Sequence, residues 1–319
     1  MKSKKKMESI EKTLGLFVNK KRLLRVVWSV FRMILLIGLV FMMVYPLFVR
    51  FTSSIKGSAD QLDPSVMFIS KNPTFANYKT IMRSIGYGET LLYTTLITAM
   101  TSALQTVVCC ITAYGLARFR FRGNRLVFGM AIATLIIPPQ ALLLPLFFRF
   151  KAFNLLQLFK FSGDLWGLDL TGTIVPFILL SITGMAFRNG LYIFLFNQHY
   201  RNVPSVLEEA AYIDGCGVFK TFVRIMVPGS LPMIATVFLF SFVWQWNDSF
   251  YTSMLAPDLP LLANKLYGLS YSILGSGSDI YTALLETPKF FLLITPLLIL
   301  YIFTQRFFVA SIETSGIVG

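Results

Sequence analysis

Few side chains in this sequence have the type and spacing for covalent chemistry. Its only histidine is His199, and its three cysteines, Cys109, Cys110 and Cys216, include an adjacent pair with no histidine nearby. That is neither a zinc spacing nor a disulfide framework. No G-x-x-x-x-G-K-[ST] phosphate loop occurs: Gly217-Val-Phe-Lys-Thr221 has the Lys-Thr without the preceding glycine. A nucleophile elbow and a His-x-x-x-His pair are also missing, so the sequence offers no catalytic residue and no metal-ligand set. Two other groups suit binding. Glu208, Glu209, Ala210, Ala211, Asp214 and Gly215 set acids beside small residues and a turn-forming glycine. Trp244, Trp246, Asn247 and Asp248 combine aromatic faces with amide and carboxylate groups, the partners sugars favour. An interfacial aromatic belt would use the same residues.

The elements that carry these residues follow from composition. The chain has 319 residues, 55% of them hydrophobic and 14% charged, with a mean hydropathy of +0.67. A soluble domain carries about 25% charged residues, so this chain cannot cover a water-facing surface. Disorder, collagen and small disulfide scaffolds are excluded on the same grounds. The net charge of +14 is concentrated: nine of the 29 Lys and Arg lie in the first 25 residues, opposed only by Glu8 and Glu11. A basic flank before an apolar run marks a cytoplasmic tail and not a nucleic-acid surface.

Six stretches have roughly the 20 apolar residues a spanning helix needs: Val26–Val49, Leu91–Leu116, Leu126–Phe148, Thr173–Phe196, Leu231–Phe250 and Phe290–Phe308. The expected fold is therefore all-α, a polytopic membrane protein with six transmembrane helices. The first stretch is too long for a cleavable signal peptide, and no A-x-A-like site follows at Arg50–Ser54. With the N-terminus inside, 17 Lys and Arg fall on inner segments and ten on outer ones, and the loop Ala117–Arg125 holds four Arg and no acid. Both termini are then cytoplasmic. The expected organisation is a basic tail at 1–25, a six-helix transmembrane region at 26–308 with a cytoplasmic loop at 197–230, and a C-terminal tail at 309–319.

Within the spans, Arg188 is the deepest charge. It either faces a polar cavity or, the reading preferred from sequence, snorkels toward the inner face. Pro138–Pro139 and Pro145 should divide the third span, Pro176 should open the fourth, and Pro288 and Pro296 should bracket the start of the sixth. In the loop 197–230, Pro204 or Ser205 should begin a helix, with Ser205 and Glu208 at capping-box spacing and Gly215 as its stop. A second short helix from about Val218 to Met226 should place Phe219, Phe222, Val223 and Met226 on one face, with Lys220 and Arg224 opposite. At about 15 Å each, neither crosses a bilayer. This knob suits a protein socket or an amphipathic seat on the membrane surface.

Glu209-Ala-Ala-Tyr-Ile-Asp-Gly-Cys-Gly, followed by Phe222, Ile225, Pro228 and Pro232, resembles the EAA loop of binding-protein-dependent ABC transporter permeases, in their carbohydrate-uptake, maltose-type branch. Phe75-Ala-Asn-Tyr78, Ala113-Tyr-Gly-Leu-Ala-Arg-Phe-Arg-Phe-Arg-Gly123, Pro138 through Leu156, Trp246-Asn-Asp248 and Gln305-Arg-Phe-Phe308 are similar to the branch at corresponding places, over residues 45–319. Gly217 and Val218 depart from it. The resemblance implies a permease subunit of an ATP-driven importer, carrying a sugar or oligosaccharide delivered by an extracytoplasmic solute-binding protein. It implies that Glu208, Glu209, Ala210, Ala211, Asp214 and Gly215 couple to a dimer of ABC ATPase subunits, with Gln305–Gly319 as a second contact. It implies a second homologous permease subunit, no cofactor on this chain, ATP and Mg on the partner ATPase, and a multi-pass place in a bacterial cytoplasmic membrane. The alternative is a secondary transporter or channel that works without an ATPase, which ordinarily shows internal repeats and intramembrane acids.

Overall fold

The computed structural model describes the backbone of residues 2–66, 68–153, 167–274 and 279–316, and the side chains of residues 24–61, 63–66, 68–153, 167–269 and 284–305. The basic side chains before Leu24, Lys160 and the tail side chains after Gln305 lie outside the described residues. Among the described residues the chain is helical, with a single isolated bridge between Phe153 and Leu168. It forms two compact units, Met1–Asn77 and Tyr78–Gly319.

In the first unit, α1 (Lys2–Ser54) runs through Pro46 without ending. Its segment Leu24–Ser54 is long and apolar enough to cross a membrane. The polar segment after it, which includes α2 (Ser58–Leu62), closes on itself. Lys56 Nζ donates to the Val66 carbonyl at 2.7 Å, and Asn77 Nδ2 donates to the Lys56 carbonyl at 2.9 Å. The buried Asp60 accepts from the Asn72 backbone N–H at 2.9 Å and from the Ser70 hydroxyl. These donors, the Asn72 N–H first, hold its carboxyl below the usual carboxylate range.

The second unit is arranged around α4 (Tyr87–Arg118), which follows α3 (Ala76–Ile85) and starts at Gly86, a left-handed residue with φ +61°. One side of α4 is a buried line of small polar residues that includes Thr90, Thr94, Thr98, Thr101, Ser102 and Gln105. Several hydroxyls fold back on their own helix: Thr94 donates to the Thr90 carbonyl at 2.7 Å and Thr106 to the Ser102 carbonyl at 2.7 Å. Polar groups satisfied this way bury without outside partners, and their small size lets neighbouring backbones come close. Onto α4 pack α7 (Val175–Ile182), α8 (Asn189–Asn202), α12 (Leu231–Asn247) and α14 (Leu262–Leu274). Side-chain bonds lock two of these contacts: Ser241 donates to Gln105 Oε1 at 2.7 Å, and Thr94 Oγ1 accepts the Leu262 N–H at 2.8 Å.

The six expected stretches are not six continuous apolar helices among the described residues. Among the described residues three helices are long and apolar enough to cross a membrane, and a fourth candidate combines Val218–Gly229 with Leu231–Asn247 across a 76° bend. The third stretch divides at its proline pair into α5 (Asn124–Ala133) and α6 (Pro139–Lys151), whereas Pro145 sits inside α6 without ending it. The fourth opens at Pro176 as expected but also divides between α7 and α8, where Gly184 (φ +71°) and Arg188 (φ +68°) both turn left-handed. No proline announces that second break. After α12, α13 (Phe250–Leu255) and α14 lead to α15 (Asp279–Gly316), which takes Pro288 and Pro296 into its interior and so starts well before Phe290.

Arg188 stands at the N-terminal end of the 14-residue α8 with its side chain exposed, and its guanidinium lies over the Trp244 ring. Cys109 and Cys110 are buried and free, with Cys110 Sγ 3.0 Å from the Tyr200 hydroxyl; Cys216 is partly exposed. Close helix contact depends on Gly190, where an added Cβ would collide with the Ala131 carbonyl and the Thr134 hydroxyl; the same atom at Gly129 meets nothing within 4 Å. Gly190→Ala should therefore cost about 1–3 kcal/mol by overpacking, seen as a lowered thermal midpoint of the detergent-solubilised protein. Gly129→Ala should not lower it.

Candidate functional site

The loop between α8 and α12 is built as two short helices around a glycine. The first, α9, spans Val206–Ile213 and ends at Gly215, whose φ of +79° is open to glycine at no steric cost. The Gly215 N–H donates to the Tyr212 carbonyl at 3.0 Å and the Cys216 N–H to the Ala211 carbonyl at 2.9 Å. This is a Schellman stop, as the sequence predicts. The start differs from expectation. Ser205 makes no side-chain cap bond, so the expected capping box is not formed. Glu208 is drawn away from the helix start by stronger partners.

Those partners lie at the end of α4. Tyr114 Oη donates to Glu208 Oε1 at 2.8 Å, and Arg118 Nε lies 2.8 Å from Glu208 Oε2. The pair is largely sealed, with side chains 16% and 7% exposed. Arg118 Nη2 also donates to the Val203 carbonyl at 2.7 Å, tying the chain just before α9 to the same point. Tyr114 and Arg118 are four residues apart on one helix face, so both can address a single carboxylate. An ion pair with a neutral hydroxyl as third partner is how a charge is buried at tolerable cost. In the sequence Tyr114 stands out only within the Ala113–Gly123 match and Arg118 only there and among the loop's four Arg; their i, i+4 spacing beside an acid-bearing loop is the signal for the pair.

The second helix departs from its expected amphipathic face. α10 (Val218–Thr221) passes into a π-helical turn, Phe222–Met226, and then α11 (Val227–Gly229). The extra residue of the π turn rotates the register. Thr221 and Met226 are buried, and the Phe222 ring lies 4.6 Å from that of Tyr114, while Phe219 is 79% exposed and Val223 is also exposed. His199 Nε2 sits 3.1 Å from Ser230 Oγ, joining the end of α8 to the start of α12. Burial holds this imidazole below its ordinary pKa, which favours the neutral ring.

The six residues singled out in the loop therefore divide. Glu208 and Ala211 are buried against the same chain; Glu209, Ala210, Asp214 and Gly215 are exposed. Around the exposed four lie Ile213 at 86% exposure, Phe219, Val206 and Tyr212. The four residues at the end of α12 also separate. Trp246 is buried and its Nε1 donates to the Leu293 carbonyl at 3.0 Å. Asp248 accepts the Tyr251 and Thr252 N–H groups at 3.2 and 3.1 Å, capping α13. Trp244 and Asn247 are exposed, and the Arg188 guanidinium lies over the Trp244 ring, 3.2 Å from its centroid. Among the described residues no group of three or more His, Cys, Asp and Glu could hold a metal ion.

Removing one partner of the Glu208–Arg118 pair leaves the other buried and unpaired, so Arg118→Met should cost about 3–5 kcal/mol. Hydrogen exchange over 206–215 should speed up in this variant, and the double replacement Arg118→Met with Glu208→Met should recover much of the protection.

Residues 105–312 match the family described as binding-protein-dependent transport system inner membrane component. The arabinooligosaccharides transport system permease protein AraQ of Bacillus subtilis is 26% identical over 92% of this chain and 98% of its own length. The melibiose/raffinose/stachyose import permease protein MelC of Bacillus subtilis is 26% identical over 86% of this chain and 91% of its own. The osmoprotective compounds uptake permease protein GgtD of Synechocystis is 27% identical over 89% and 90%. In fold, the chain is similar to the crystal structure of a bacterial ABC transporter involved in the import of the acidic polysaccharide alginate, with a TM-score of 0.65 over 88% of this chain and 96% of that one, at 19% identity. Matched over most of its length, the chain belongs to the binding-protein-dependent transport system inner membrane component family, the membrane-embedded permease part of ABC importers and not their ATP-hydrolysing subunit.

Proposed function

We propose that this chain is one permease half of an importer for a sugar or oligosaccharide, and that the α9–α10 knob is where a separate ATPase subunit drives it. The observation that carries this reading is the division of the knob. Its inner side is clamped to α4 through Glu208, and its outer side presents Ile213 and Phe219 together with Glu209, Asp214 and Lys220. Exposed apolar groups ringed by charge mark an interaction surface. The exposed charges there are mixed, Glu209 and Asp214 against Lys220 and Arg224, and lack the strongly basic face that seats a helix on anionic headgroups, so a protein socket fits better than a membrane one.

In this reading the chain crosses a bacterial cytoplasmic membrane six times with both termini inside, the third and fourth crossings each being made of two helices. The permease region is 26–308, the coupling loop 197–230, and the tails 1–25 and 309–319 lie in the cytoplasm. Glu209, Ala210, Asp214 and Gly215 meet the ATPase, while Glu208 and Ala211 hold the helix that presents them. ATP and Mg are bound by the ATPase dimer, and this chain binds no cofactor. When the ATPase subunits close, force enters at α9, passes through Glu208 and Arg118 into α4, and moves α8 and α12 with it as a rigid body. A second, homologous permease completes the path, and a solute-binding protein docks on the outer segments, including the closed loop after α1. Sugar is the cargo by likeness to AraQ and MelC, whose names state arabinooligosaccharides transport and melibiose/raffinose/stachyose import. Trp244 and Asn247 are the exposed members of the candidate path.

Affinity purification of the chain after co-expression with its ABC ATPase should bring that ATPase down, and Glu209→Lys should lose it while the protein stays folded. A Cβ at Gly215 meets nothing within 4 Å, so Gly215→Val strains only the left-handed cap, at about 1–2 kcal/mol. It should lower uptake at least tenfold while leaving much of the ATP hydrolysis. A chain that purifies alone and transports solute without nucleotide would overturn the reading.

A further inference from the structure

Arg188 is the only non-glycine residue with a positive φ among the described residues, at +68°. Left-handed backbone in a long side chain persists only where the surroundings impose it, and such strain collects at functional sites. The break in which Arg188 sits is irregular backbone inside an apolar stretch, tolerated where it is covered by protein or lines a wet cavity. Arg188 lies at the head of α8 within the fourth apolar stretch, and Trp244 lies in α12 within the fifth, where charge is costly.

In such a stretch an exposed cation needs a function. Its guanidinium face is taken by Trp244, 3.2 Å from the ring centroid, yet among the described residues its N–H groups make no hydrogen bond or ion pair. Stacking uses the face of a guanidinium and leaves its edge, a planar fork of donors matched to a carboxylate. The nearby acid does not fill that fork, because Asp248 caps α13. Orphaned buried polar atoms surround the break: both amide atoms of Asn189, which is 2% exposed, and the hydroxyl of Tyr251, whose ring stacks on Phe187 at 3.4 Å.

We infer that Arg188 and Trp244 form a carboxylate-reading subsite in the transport path, selecting saccharides that bear an acidic group such as a uronate. Arg188 supplies the bidentate fork, and Trp244 holds it in place and offers an edge to the sugar ring. This inference rests on the importer reading for its location, and its test separates the two. The chain, purified in nanodiscs of neutral lipid, is titrated with glucuronate-bearing oligosaccharides and with neutral ones of matched length and linkage, reading tryptophan fluorescence. The acidic series should shift the signal and the neutral series should not. The response should vanish in Arg188→Gln and in Trp244→Phe, and be weakened but kept in Arg188→Lys. In the assembled importer with its ATPase and binding protein, Arg188→Gln should raise the half-saturating concentration of the acidic solute at least tenfold. Failure of any ATPase to associate would sink the importer reading while the fluorescence titration still judges the subsite. The subsite is refuted if neutral and acidic oligosaccharides behave alike, if Arg188→Gln impairs both equally, or if the signal changes only when phosphatidylglycerol is added, which would make Arg188 a lipid anchor.

Discussion

One carboxylate connects the part of this molecule that faces outward to the part that is packed. Glu208 is held by Tyr114 and Arg118 at the end of α4, and through it the exposed face of α9 is attached to the most centrally packed helix of the second unit. A flexible loop could present the same exposed residues, but it would bend under load instead of transmitting it. The clamp removes that slack, because displacing α9 alone would leave an arginine, a tyrosine hydroxyl and a glutamate each unpaired in a nearly dry site. The Val203 carbonyl bond to Arg118 and the Phe222 ring on Tyr114 extend the same anchor to both sides of the knob. Motion at the knob and motion of α4 therefore belong to one body.

What packs with α4 is then set by its polar side. Its line of Thr, Ser and Gln side chains bonds mostly to its own backbone, leaving a narrow polar face on which α8 and α12 lie closely. In a bilayer no hydrophobic gain distinguishes helix contact from lipid contact, so close packing of small residues does the holding. Gly190 does the equivalent between α8 and α5. The broken third and fourth stretches fit the same scheme. Each uses short helices with irregular backbone between them, and this is stable only because α4 and its neighbours take up the rest of the surface.

Much of this was legible in the sequence. The apolar runs, the proline pair that divides α5 from α6, the glycine stop of α9 and the EAA resemblance all rest on strong local chemistry. The misreadings were those in which a distant partner overrides a local pattern. Ser205 and Glu208 have capping-box spacing, but an arginine 90 residues earlier in the chain holds the carboxylate more strongly than a backbone amide can. Phe219, Phe222, Val223 and Met226 share a face at regular helical spacing, and a π turn from Phe222 to Met226 splits them, burying Met226 while Phe219 and Val223 stay exposed. Trp246 and Asp248 look like neighbours of Trp244 on the chain, yet one is core and the other a cap. The break at Gly184–Arg188 carries no proline, and a left-handed arginine has no sequence signature. Pro288 and Pro296 erred the other way, since a long helix with protein on its flank absorbs both.

The distribution of thiols has a practical consequence. Cys109 and Cys110 are sealed inside the α4–α8 contact, whereas Cys216 is partly open immediately after Gly215, at the tip of the knob. The chain thus carries a single partly exposed thiol, beside the glycine that ends α9. A maleimide dye attached there would label the exposed side of the knob alone, without any engineered cysteine.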